Sequence, residues 1–402
     1  MLRIVLVHMC CLICMQAADP TLSITDLEKS GAWTGDGRLV IRDASTLLGG
    51  REALAKLALA RALSSVDCRS AQVAPNDLLV LAGLSVRELT VDGNVNFTDE
   101  HLAVAGKMIS LEYLNVGKSG CSSSGVAALR LPALRQLRVS GMTLGHPILF
   151  GLPSVRLALA SDCQIEAGAL AAPVNSQLSF LNIARSRIAG GSLGPLKAFP
   201  ALAELCAIDC VIPAQDVIAI SECAALRNLD CESAMLEGGF APILRMKNLQ
   251  TLNLSRIAVG DAFVAEVLAA LPALNTLLLS GTEITDKAMR AVAESPSVDQ
   301  LAISDSRVTV HGLEVLRQSK HITGLAAANL SIGDDGIIEL FGKGWDALQE
   351  VDFSGNGLTD VCVPALGKAS ALKRINLSGN GFSVAGAKEL HRLLPQTQML
   401  IE

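Results

Sequence analysis

The sequence predicts an α/β solenoid: a parallel sheet of short strands on a concave face, backed by helices and by short 3₁₀ or extended segments on the convex side. Two observations predict it. A unit with the frame L-x-x-L-x-L-x-x-(N/T/S/C)-x-L returns every 21 to 26 residues from Leu63 onward, most clearly in Leu274-Asn-Thr-Leu277-Leu-Leu279-Ser-Gly-Thr282-Glu-Ile284 and in Leu372-Lys-Arg-Ile375-Asn-Leu377-Ser-Gly-Asn380-Gly-Phe382. A fixed period of this size marks stacked units, each unable to bury its apolar side alone. Half of the 402 residues are hydrophobic and only 3% are aromatic, so the core is built from Leu, Ile, Val and Ala.

The elements follow in chain order. Residues 1–18 read as an export signal: Arg3 supplies the basic start, Ile4 to Met15 is an apolar run interrupted by His8, and Ala17-Ala18 offers small residues for cleavage. That run is too short to cross a bilayer as a helix, and no other run is long enough, so no transmembrane span is expected. Residues 19–62 have the size of a capping segment; they include Trp33, a degenerate strand Arg38-Leu39-Val40-Ile41-Arg42 and an Ala/Leu-rich helix from Arg51 to Leu63.

The array proper runs over 63–402, with about 14 units starting at Leu63, Val86, Leu111, Leu134, Val155, Leu178, Leu202, Leu226, Leu249, Leu274, Val298, Ile322, Leu348 and Leu372, and a truncated last strand from Thr397. Positions 4 and 6 of each unit point inward by strand alternation, as in Leu252/Leu254 and Leu277/Leu279, while positions 2, 3, 5, 7 and 8 face solvent. The copy at Val155 (Val-Arg-Leu157-Ala-Leu159) looks displaced by about one residue, which predicts a local irregularity. Return segments in the C-terminal half read as helices whose Thr285-Asp286, Thr359-Asp360 and Gly260-Asp261 pairs occupy N-cap positions. In the units from Leu134, Val155 and Leu178, Pro147, Pro153, Pro173 and Pro195 predict short helices, 3₁₀ turns or extended chain instead.

These units resemble leucine-rich repeat proteins across nearly all of residues 63–402, specifically the helix-backed subclass that includes ribonuclease-inhibitor-like proteins, the repeats of F-box receptors and many exported bacterial proteins. The resemblance implies a right-handed horseshoe with its strands on the concave face, the face on which the family binds partners. One departure matters. The ninth position is Asn only at Asn94, Asn356 and Asn380, and elsewhere is a residue such as Met142, Cys210, Ala234 or Ile257. The buried Asn ladder that the resemblance implies is therefore broken through the middle, and looser packing is expected there because loop amides need partners.

No catalytic constellation is present. His101, His146, His311, His321 and His391 show no metal-ligand spacing, and there is no G-x-S-x-G elbow or P-loop. Gly379 to Gly386 follows a strand and precedes a helix, but with the wrong spacing for a nucleotide site, and the repeat explains its glycines. Cys68, Cys121, Cys163, Cys206, Cys210, Cys223, Cys231 and Cys362 show no C-x-x-C pairing; several sit where the frame wants a small apolar side chain, so they read as buried thiols. No unit spacing leaves room for an inserted enzyme domain. The chain is thus expected to be non-enzymatic, without cofactor or metal. A net charge of −6 gives the whole molecule no electrostatic case for nucleic acid.

Function is sought on the concave face. By frame the early units contribute Arg135, Arg138 and Arg185, the middle contributes Asp209, Asp230, Glu232 and Asn253, and aromatic anchors are limited to Tyr113 and Phe180. The leading expectation is an exported recognition scaffold, in a bacterial periplasm, at a cell surface or outside the cell, that binds an unknown protein or polymer there. The capping segment lacks cysteine, unlike the cysteine-stapled caps of animal and plant secreted relatives, which favours the bacterial setting. Two alternatives belong to other classes. A ubiquitin-ligase substrate receptor of F-box type would need a Leu-Pro start before the repeats, which residues 19–62 lack. A self-associating envelope protein could pair through the terminal strand edge, with a monomer or weak dimer expected.

Overall fold

The computed structural model describes Trp33 and residues 37–41, 63–172 and 176–401; the export signal, most of the capping segment including its expected helix, Pro173 and Glu402 lie outside the described residues. The chain forms two compact units, Met1–Leu202 and Ala203–Glu402.

In the first unit, strands Arg38–Val40, Ser65–Asp67, Glu88–Thr90, Tyr113–Asn115, Gln136–Arg138, Leu157–Leu159 and Phe180–Asn182 pair in parallel and in chain order. In the second unit, strands run likewise from Glu204–Cys206 through Thr251–Asn253 and Thr276–Leu278 to Gln398–Leu400. Register carries position 4 onto position 4, as in Leu252↔Leu277 and Leu277↔Leu301. The inward pairs are sealed: Leu252, Leu254, Leu277 and Leu279 are each 0% exposed. At ~2 kcal/mol for each buried aliphatic side chain, the stacked rows are the main source of stability.

The repeat starting at Val155 is in frame after all. Leu137 pairs with Ala158 and Arg138 with Leu159, so Ala158 and Ala160 are the inward residues and both are buried. The ladder enforces this register: Arg156 and Leu157 donate their amides to the Arg135 carbonyl, and Ala160 donates to Asn182. A one-residue slip would turn every side chain of the strand over. Leu157 and Leu159 consequently stand on the solvent face, half-buried.

Packing through the middle is also regular, contrary to the expectation from the broken Asn ladder. Two backbone devices hold the layer there. First, position 8 is left-handed in every unit from Gly93 to Gly379, including non-glycine residues such as Lys118 (φ 51°), Asp162 (φ 58°), Asp209 (φ 55°) and Arg256 (φ 58°). This conformation costs a non-glycine residue about 1 kcal/mol, but it aims the position-8 amide at the position-7 carbonyl of the next repeat. Lys118 donates to Ser140, Gly141 to Ser161, Ser233 to Ser255 and Arg256 to Ser280, at 2.7–2.9 Å. Second, the proline-containing units return as strands. Thr143–Leu144, Gln164–Ile165 and Arg187–Ile188 form a second parallel ladder in the first unit, and Val211–Ile212 pairs with Met235–Leu236 in the second.

Elsewhere the returns are helical: Asp99–Ala105 in the first unit, and Asp261–Ala270, Asp286–Glu294, Val310–Leu316, Gly333–Gly342 and Val384–Leu393 in the second. Thr285, Thr309 and Ser383 cap their helices, accepting amide protons from Lys287, His311 and Gly386. The aspartates that follow the threonines do something else. Asp286 reaches the next repeat and accepts both the Thr309 amide and the Thr309 hydroxyl at 2.7 Å. Asp261 does the same to Thr285, Asp334 to Thr359, Asp360 to Ser383 and, in the first unit, Asp99 to Ser122. Each cap is thus held by the previous helix. The third helical residue must then be small, because a Cβ at Gly125, Gly312 or Gly386 would overlap the carboxylate of Asp99, Asp286 or Asp360.

The eight cysteines among the described residues are free thiols, all but Cys206 buried. Burial raises the pKa of Cys68, Cys163 and Cys231, and raises it to about 11 for Cys121 and about 12 for Cys223 and Cys362.

Candidate functional site

Positions 2, 3 and 5 of the strands lie on the outward face, yet at position 5 the side chain is often buried or already engaged. When it is Asn or Asp, its Oδ1 accepts the amide of position 7 and fixes the turn that ends the strand. Asn115 holds Gly117, Asn182 holds Ala184, Asp230 holds Glu232, Asn253 holds Ser255, Asp352 holds Ser354 and Asn376 holds Ser378, at 2.8–3.1 Å. This is the Asx-turn chemistry that makes these residues strand terminators.

Two residues nominated from sequence take this role. Asn253 is 7% exposed and commits its carbonyl oxygen to Ser255. Asp230 serves the Glu232 amide; burial and then the neighbouring Glu232 charge raise its pKa despite that hydrogen bond. Of the other acids in the second unit, Glu232 pairs with Arg256 at 3.3 Å, and Asp209 is an exposed left-handed turn residue.

The first unit differs. Arg185 is held bidentately by Asp162 at 2.8 Å, which lowers the Asp162 pKa. Arg87 lies 3.9 Å from Glu112. Arg135, Arg138 and Arg156 form no ion pair among the described residues. Arg135 and Arg138 occupy positions 2 and 5 of one strand, about 10 Å apart along it at ~3.3 Å per residue. Arg156 is position 2 of the next strand, about 5 Å across the sheet.

Arg135 and Arg156 line a cavity of about 350 Å³ with Glu112, Pro132, Ala133, Ser154 and Gln177. Beside it the register places Leu157 between Gln136 and Phe180, and Leu159 between Arg138 and Asn182. Leu157, Leu159 and Phe180 are all half-buried. The result is an aliphatic and aromatic patch bordered by three unneutralised guanidiniums. Sequence reasoning found Arg135, Arg138 and Phe180 but took the copy with Leu157 and Leu159 as displaced by about one residue. The signal for them was present: Cys163 and Ile165 are positions 9 and 11 counted from Val155 without any shift.

The histidine in the first unit with the most protein contacts is structural. His101 has Nε2 2.8 Å from the Val73 carbonyl and Nδ1 within reach of the Thr98 amide and hydroxyl, closing the helix cap. Among the described residues no group of three or more His, Cys, Asp or Glu is placed to hold a metal ion, and no helix is long and apolar enough to cross a membrane.

No protein-family profile matches the chain. A ribonuclease inhibitor of Sus scrofa is 28% identical over 174 residues, covering 39% of this chain and 38% of the relative, so the match spans under half of that protein's length. Among solved structures, a leucine-rich repeat protein of Leptospira interrogans superposes with a TM-score of 0.52 at 16% identity, covering 86% of this chain and 91% of that one. An internalin of Listeria monocytogenes gives a TM-score of 0.39 at 11% identity, over 94% of this chain and 88% of that one.

Proposed function

We propose a function for what is, by frame, sheet and relatives, a leucine-rich repeat protein: an exported, non-enzymatic recognition scaffold that binds a protein or polymer partner on the solvent face of its parallel sheet. One observation carries the location. Most position-5 Asn and Asp side chains serve their own turns, whereas Arg138 and Leu159 stand free beside Arg135, Arg156, Leu157 and Phe180. An apolar patch rimmed by polar groups is the anatomy of a docking surface. Export rests on residues 1–18, with Arg3 before the apolar run and Ala17-Ala18 after it.

The reading is tested by photocrosslinking in cells. A photoreactive phenylalanine analogue replaces Leu159 in one variant and Ile109, 68% exposed on a return segment, in another. Adducts are expected from position 159 and not from position 109. Adducts from position 109 alone would place the partner on the other side of the molecule and defeat the proposal. N-terminal sequencing of the cell-derived protein is expected to begin near Asp19; a chain that retains Met1 and stays in the cytosol would remove export.

A further inference from the structure

Resting on that docking face, we infer that its partner is an acidic polypeptide segment in which two carboxylates about 10 Å apart flank aliphatic side chains. The argument is one of complementarity. Three adjacent strands place Arg135, Arg138 and Arg156 around Leu157, Leu159 and Phe180, and the nearby acids do not neutralise them. Glu112 is drawn toward Arg87 and Asp162 is taken by Arg185. The chain as a whole carries −6, so this local excess of positive charge is set against the protein's own average. Such a patch steers an anionic segment to one place and disfavours its landing elsewhere.

The spacing makes the class specific. The cavity between Arg135 and Arg156 takes one carboxylate, its two guanidiniums outnumbering the single acid in the lining, Glu112, with Gln177 and Ser154 as further polar contacts. Arg138 stands three residues along the strand from Arg135 and takes the second. Between these points the sheet presents Leu157 and Leu159, with Phe180 beside them. A polyanion without apolar side chains, such as a nucleic-acid strand, would satisfy the guanidiniums and leave the patch uncovered. A neutral apolar segment would cover the patch and leave three arginines to be desolvated without partners, which is unfavourable.

The test uses the full chain and a fluorescein-labelled hexapeptide, Gly-Glu-Leu-Leu-Glu-Gly, read by fluorescence anisotropy. Its two glutamates lie about 10 Å apart when extended. Saturable binding is expected, tighter by about ten-fold than for the Gln-Leu-Leu-Gln and Glu-Ser-Ser-Glu versions, and weakened as salt is raised. Arg135→Ala with Arg156→Ala, and separately Leu159→Ser, are each expected to weaken it by about ten-fold with an unchanged circular dichroism spectrum; a second arginine pair, Arg227→Ala with Arg245→Ala, leaves it unaltered. Equal binding of Glu-Ser-Ser-Glu or of oligothymidylate would overturn the apolar half of the inference, and equal binding of Gln-Leu-Leu-Gln the acidic half. Absence of saturable binding to any peptide, with position 159 still giving adducts in cells, would overturn this inference alone; absence of both would remove the docking face as well.

Discussion

Asn356 offers the sharpest check on how the turns are held. It is 2% exposed. Its Oδ1 accepts the amides of Leu330 at 2.9 Å and Ile332 at 3.3 Å, and its Nδ2 donates to the carbonyls of Ala327 at 2.8 Å and Ser354 at 3.2 Å. Asn356→Ala removes all four bonds. The Ile332 amide and the Ala327 carbonyl are buried and lose a partner, at about 1–3 kcal/mol for each group left unsatisfied. Leu330 is only half-buried, so water can reach its amide in the variant. The expected loss is therefore about 2–6 kcal/mol. Thr282→Ala at the same repeat position removes one bond, from the hydroxyl to the Leu279 carbonyl, and is expected to cost about 1 kcal/mol. Urea unfolding of the pair gives the difference, read as a midpoint shift at constant slope. Amide exchange at Leu330 and Ile332 is followed in parallel because repeat arrays open piecewise. A loss under about 0.5 kcal/mol for Asn356→Ala, with those two amides exchanging as before, would refute the view that the side chain is the partner these loops depend on.

Two further outcomes test the other devices. Gly386→Leu drives a side chain into the Asp360 carboxylate that holds the Ser383 cap, so it is expected to cost at least about 1–3 kcal/mol by urea unfolding, and Asp360→Ala in the same chain should recover part of that loss. Asp230→Asn keeps an acceptor for the Glu232 amide while removing a charge whose pKa burial and Glu232 both push up; because a raised carboxyl pKa disfavours the folded state above it, the variant should melt higher than the parent at pH 7, with the difference shrinking as pH falls toward about 4, and a constant difference across that range would contradict the assignment.

The parts of the architecture that repeat were legible because period and alternation are properties of composition along the chain. Leu252/Leu254 and Leu277/Leu279 announce their strands, and the register between them follows from the frame. Two things were not legible, for different reasons. Around Val155 the larger residues, Leu157 and Leu159, alternate with alanines, and hydrophobicity alone assigns the larger pair to the core. Hydrogen bonds from Arg156, Leu157 and Ala160 to neighbouring strands override that preference, as tertiary context commonly does. At position 5, an Asn that ends a strand and an Asn that waits for a partner are the same letter. Only the bond from Ser255 to Asn253, or from Glu232 to Asp230, separates them. The aspartates after the capping threonines were placed at the right helix ends but with the wrong reach, because a contact to the next repeat's Thr309 or Ser383 is a property of stacking rather than of local sequence.

These departures bear on one another. A docking face needs solvent-facing side chains that the repeat does not require for itself. In the first unit that freedom arises at Arg138 and Leu159, where position 5 is not an Asx turn residue. The turns there keep the left-handed position 8 common to the array, Gly141 and Asp162, whose amides bond to Ser161 and Ala184 of the following repeats. Behind the same strands the returns Thr143–Leu144 and Gln164–Ile165 pair as a second ladder, so backbone bonds fix the layer from both sides. With main-chain groups carrying the structure, the side chains at positions 2, 3 and 5 can change without loosening it. The ninth-position Asn was dispensable there for the same physical reason that the outward side chains became available. Weak points in the sequence frame and the free surface of the sheet are therefore expected to coincide, which ties the proposed site to the most divergent repeats rather than to the most regular ones.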